Sequence, residues 1–216
     1  MAWMPMPGQT WLGAAASFVA MWLAMMVAMM MPSLVPTLWG YRQAAGKARD
    51  MRRDWLTALV GGGYFFAWTV FGIVVFPLGA ALAEIAMQRA SLARVVPLAI
   101  GVVVVIAGVL QVSSWKARHL TCWREPSGRQ RTLPTDAAAA WRHGLRLGLH
   151  CIYSCIGFTA ILLALGIMDL RVMALVTVAI TAERLTPNGE RVARATGFVA
   201  VVLGLLSLAR AAAALG

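Results

Sequence analysis

The sequence predicts an all-α fold, a polytopic transmembrane helix bundle, and three observations carry that prediction. Of the 216 residues, 61% are hydrophobic and only 12% charged, whereas a soluble domain is usually near half apolar and about a quarter charged. The apolar residues fall in long blocks rather than evenly. The nineteen lysines and arginines crowd into alternate connections between those blocks. One bundle accounts for residues 1–216 as a single domain, and no stretch is long or polar enough to form a second.

Taken in order, the first block runs from about Trp11 to Trp39 and the second from Trp55 to Leu82. The third runs from Leu92 to Val112, the fourth from about Leu147 to Met168, and the sixth from Ala195 to Leu215. The fifth, Leu170 to about Ala182, falls short of the roughly 20 apolar residues a span needs. The expectation is therefore six spans, or five plus a short re-entrant or interfacial helix. Trp11, Trp39, Trp55, Trp115 and Trp141 fall at predicted ends, where an indole prefers the membrane–water interface. The opening "MAWMPMPGQT" lacks a charged n-region and no A-x-A site follows the first block, so that block is expected to stay in the chain.

The first, third and fifth connections hold fifteen of the basic residues and the rest of the chain four. Cytoplasmic loops carry such an excess. This predicts a multi-pass protein of the cell inner membrane, with the lipid bilayer around it and both termini on the non-cytoplasmic side. The same bias accounts for the formal net charge of +11 without a nucleic-acid partner, and no aromatic-and-basic nucleic-acid motif is present.

With that orientation the soft donors gather towards the cytoplasmic boundary. "MWLAMMVAMMM" places six methionines between positions 21 and 31. Met21, Met25 and Met29 share one helical face, and Met26 and Met30 another. Pro32 and Pro36 follow, where the helix is expected to open. The fourth block begins "HGLRLGLHCIYSCIGF", in which Cys151 and Cys155 stack one turn apart, and thiolates select Cu(I), Zn or Fe–S centres. The third connection adds His119 and Cys122 in "HLTC". The fifth block ends in "AERLTP", which puts Glu183 at the same depth, where a carboxylate is costly without a role. Three cysteines are too few for a disulfide framework, and a reducing cytoplasm would keep them free. The candidate metal ligands are thus Cys151, Cys155, Cys122, His119, Met25, Met26, Met29, Met30 and Glu183, with Asp169 as an outer contact or proton partner and copper, as Cu(I), ahead of zinc.

Each of these residues also has a plainer use. Methionine fills apolar helices, cysteine packs as a small hydrophobe, and a carboxylate pairs with a neighbouring arginine. The alternative reading is accordingly a structural or assembly subunit of a membrane complex that holds no metal. Gly144 and Gly148 invite a close helix approach, within the chain or in a homo-oligomer. A transporter would need a polar path, yet Glu84, Arg89 and Asp169 lie at block ends. The chain has no C-x-x-C-H, H-E-x-x-H or phosphate loop, and nothing in it points to an enzyme.

Three stretches, "MVAMMMPSLVP", "LQVSSWKARHLTCWREP" and "HGLRLGLHCIYSCIGF" running on to "LGIMDLRVMALVTVAITAERLTP", resemble a bacterial family of predicted metal-binding integral membrane proteins of unknown function. The resemblance extends from the first block to the fifth and is most specific at Met168, Asp169, Glu183 and Pro187. It implies a helical membrane fold and a bound metal; the ligand set itself points to metal handling or delivery, with another membrane protein or a metallochaperone as the expected partner. The family pattern is richer in cysteine. It has a Cys pair after the third span, where this chain has His119 and Trp123 with Cys122 offset by one. In the fourth span it has adjacent cysteines and Trp where this chain reads Ser154, Cys155, Ile156.

Overall fold

A computed structural model describes residues 10–44, 50–88, 90–113, 116, 136–166 and 169–213. The described residues form six helices and no strands: α1 (Trp11–Ala44), α2 (Asp50–Gln88), α3 (Ala90–Val112), α4 (Ala137–Leu165), α5 (Leu170–Leu185) and α6 (Gly189–Ala213). All but α5 are long and apolar enough to cross a membrane. The sixteen residues of α5 rise only about 24 Å, so the described residues form five helices long and apolar enough to span and one short one.

Local chemistry sets several boundaries. Thr10 Oγ1 accepts from the Gly13 amide at 3.2 Å and starts α1, satisfying a donor that the first turn leaves orphaned. Asp169 does the same for α5, accepting from the Arg171 and Val172 amides at 2.9 and 3.3 Å. Thr186, held extended by the proline after it, ends α5. Two expectations are corrected. Helix α1 does not open at Pro32 and Pro36 but runs through both, and the Ser33 hydroxyl donates to the Met30 carbonyl at 3.0 Å within that segment. Helix α4 begins at Ala137, ten residues before the expected start; the run of four alanines after Asp136 favours helix, although its polar neighbours kept it out of the hydrophobic block.

Neighbour contacts run α1–α2–α4–α3–α6–α5 and back to α1, and α4 also touches α5. Helix α4 therefore has α2, α3 and α5 around it. Its contact with α2 is a backbone approach: a Cβ on Gly148 would sit 2.8 Å from the Tyr64 carbonyl oxygen, and one on Gly144 would collide with the Val60 carbonyl. These two glycines thus take α2 of the same chain, and the self-interface that the sequence left open at them is filled from within. Gly108 of α3 and Gly197 of α6 pack as closely, each blocked by the other's carbonyl oxygen at 2.8 and 2.9 Å. Small residues bring helices this near and gain dispersion contacts. Between α1 and α2 the core is aromatic, with Phe18 stacked on Trp22 at 5.8 Å and Trp22 Nε1 donating to the Trp68 carbonyl at 3.0 Å.

Candidate metal centre

Helix α4 presents Cys151 and Cys155 to the middle of the bundle, 0% and 1% exposed. Their four-residue spacing places both sulfurs on the side where α1, α2 and α5 converge. From α1, Met30 (1% exposed) brings its Sδ to 3.8 Å from Cys151 Sγ. From α2, the Tyr64 hydroxyl donates to Cys151 Sγ at 2.8 Å. From the last turn of α5, Arg184 reaches in: its Nη2 donates to Cys151 Sγ at 2.9 Å, Ser154 Oγ at 3.1 Å and Cys155 Sγ at 3.3 Å. Its Nη1 donates to Ser33 Oγ of α1 at 3.2 Å. Two thiols and a thioether from two separate helices are thus gathered in one buried place, with a guanidinium among them.

A second polar cluster adjoins it. Glu183 Oε2 pairs with Lys116 Nζ at 2.9 Å, and both side chains are almost fully buried. Glu183 Oε1 accepts from Gln111 at 2.6 Å and Thr196 at 3.0 Å. Lys116 also donates to the Ser154 carbonyl, between the two cysteines, so the clusters share α4 backbone. Burying the ion pair is tolerable because hydrogen bonds satisfy its remaining lone pairs.

The sequence-derived candidates separate on this geometry. Cys151, Cys155 and Met30 come together. Met25, Met26 and Met29 are buried in the same core, where they pack α1 against its neighbours. Glu183 has both carboxylate oxygens engaged by Lys116, Gln111 and Thr196 and braces α3, α5 and α6. Asp169 caps the far end of α5, about 21 Å from Glu183 along the helix, and is not a partner to it. His119, Cys122, Trp115 and Met168 lie outside the described residues. The early start of α4 also changes the depth: Cys151 stands fourteen residues into the helix, about 21 Å from its first residue, rather than in its opening turns.

Sequence reasoning did not find Tyr64, Ser33, Gln111, Lys116 or Arg184 as core residues. Lys116 and Arg184 were counted among loop charges, yet both are buried. A signal existed for Arg184, because "AER" closes a block too short to span and so places Glu183 and Arg184 against the longer helices. For Tyr64 the signal was weaker: it follows three glycines, "GGGY", in a block whose other hydroxyls are Thr57 and Thr69.

A six-helix bundle whose centre joins two thiols and a thioether has the donor set of a soft-metal protein. The chain belongs to the PpoB2 copper chaperone family, whose model matches residues 19–207. That stretch contains every member of the sulfur cluster and of the Glu183 cluster, and it accords with the metal-related family that the sequence resembles. No curated protein and no solved structure matches the chain.

Proposed function

We propose that the protein is a multi-pass copper chaperone of the inner membrane that carries Cu(I) as cargo on Cys151 and Cys155, with Met30 as third donor. The observation that carries this reading is the meeting of the Met30 thioether and the Cys151 thiol at 3.8 Å, across 121 residues of sequence and beside Cys155. Soft sulfur ligands favour Cu(I). Zinc asks for four ligands in a tetrahedron, whereas two thiols joined by a thioether are a soft set that suits Cu(I). His119 and Cys122 follow Lys116 by three and six positions and are the donors we assign to loading from the cytoplasmic side. The exchange partner is a second copper protein, membrane-bound or a soluble metallochaperone.

Membrane embedding is supported by the apolar outer face. Phe66, Ile73, Val74 and Leu78 of α2 and Phe198 and Leu203 of α6 are all exposed, as side chains that face lipid would be. The protein is proposed to act by binding and release, with no catalytic step. The rival reading, thiols that only pack, has one observation in its favour: Arg184 already satisfies both sulfurs. Metal analysis of detergent-purified protein under reducing conditions separates the two. Stoichiometric copper in the wild type that falls to near zero in the Cys151→Ser/Cys155→Ser variant supports the chaperone, and near-zero copper in both would sink it.

A further inference from the structure

We infer that Arg184 is the stand-in cation of the copper site: its guanidinium holds the sulfur pair while cargo is absent, must withdraw for cargo to enter, and biases the site towards a monovalent ion. This deepens the copper-chaperone reading and rests on it. The geometry makes the competition direct. One nitrogen, Nη2, reaches Cys151 Sγ, Cys155 Sγ and Ser154 Oγ within 2.9–3.3 Å, so it occupies space against both sulfurs that a bound ion would need. That nitrogen has two protons to share among three acceptors, and its hold on each is therefore partial.

Charge explains what can replace it. A guanidinium is always protonated, so the vacant sulfurs face a fixed single positive charge in a dry interior. Cu(I) brings a single charge and displaces a thiol proton, so its entry leaves the net charge of the core unchanged although Arg184 stays in the bundle. A divalent ion adds a second charge in a low-dielectric region while Arg184 stays within reach, and that costs more. Ser33 provides the retreat. It holds Nη1 at 3.2 Å on α1, so the side chain can swing off the sulfurs without leaving the bundle. As Cu–S bonds form, any thiol proton leaves to water or to the delivering donors. On hand-over the guanidinium returns to the sulfurs as the acceptor draws the ion away, which weakens binding but favours release.

The test is competition for metal in detergent-purified, reduced full-length protein, with a chromogenic Cu(I) chelator and, separately, a chromogenic Zn(II) chelator. Arg184→Gln removes the charge, and its Cu(I) affinity should rise about tenfold, the worth of roughly one charged hydrogen bond. Its Zn(II) affinity should rise further, so that the preference for Cu(I) falls. Arg184→Lys keeps the charge and should keep the preference, an outcome that a merely structural role would not produce. Unchanged or weaker Cu(I) binding in Arg184→Gln, or an unaltered preference, overturns the inference. Should Arg184→Gln fail to fold, Ser33→Ala takes away the retreat that Nη1 uses and should weaken Cu(I) about threefold; unchanged or tighter binding overturns the inference equally. The Cys151→Ser/Cys155→Ser variant keeps the two readings apart. Copper that ignores this variant defeats the chaperone site itself, whereas copper that requires the cysteines but does not tighten in Arg184→Gln defeats only the stand-in role.

Discussion

Lys116 and Glu183 are almost without solvent, at 3% and 2% side-chain exposure, and a pair so placed is worth little by itself but much to whichever partner would be left alone. Lys116→Met strands a buried carboxylate and is expected to cost about 3–5 kcal/mol, read as a lower unfolding temperature in detergent. Lys116→Met with Glu183→Gln removes both charges and should recover most of that loss; a double variant as unstable as the single one would show that the ion pair is not the reason. Glu183 was legible in the sequence as a costly carboxylate needing a role, and the role is bracing. Its partner was not legible, because a lysine four residues past the end of α3 looks like any interfacial cation until folding carries it back over α4. Arg184 escaped for the same reason. Counting charges by loop assumes that each one is solvated, and these two are not.

Helix α4 can be tested without touching a donor. Gly148 has the Tyr64 carbonyl and Ala67 Cβ each 2.8 Å from where its own Cβ would lie, so any side chain must push α2 and α4 apart. Gly148→Leu should lift the Tyr64 hydroxyl from Cys151 and abolish stoichiometric copper, although every sulfur remains. Gly148→Ala should cost about 1–3 kcal/mol, the usual range for overpacking. Gly40→Ala, with nothing within 4 Å, is the matched control and should be neutral; equal effects at Gly40 and Gly148 would contradict the close approach. At this scale the sequence was a good guide to pattern and a poor one to partner. The spacing of Gly144, Gly148, Cys151 and Cys155 announced one stripe along a single helix, but that α1 and α2 meet it depends on contacts across more than eighty residues. The prolines of α1 misled because a bundle can tolerate missing helix hydrogen bonds when neighbours pack around them.

At the scale of the molecule, the hydrophobic blocks located all six long or short helices that the described residues form, since burying or immersing about 20 apolar residues leaves a chain few alternatives. Fifteen basic residues on odd connections against four elsewhere become thirteen against four once the buried Lys116 and Arg184 are set aside. The bias therefore survives, and from it we propose that the α1–α2 and α3–α4 connections face the cytoplasm, with His119 and Cys122 placed to meet a donor there and the long N-terminal half of α4 leading inward to Cys151. Labelling tests this. In a background with Cys122, Cys151 and Cys155 replaced by serine, Thr10→Cys should react with a membrane-impermeant thiol reagent from the periplasmic side of intact cells or right-side-out vesicles. Arg52→Cys should react only in inverted vesicles. Reaction of Arg52→Cys from the periplasmic side would reverse the bundle, and the sulfur site would then open towards an oxidising compartment in which its thiols would not stay reduced.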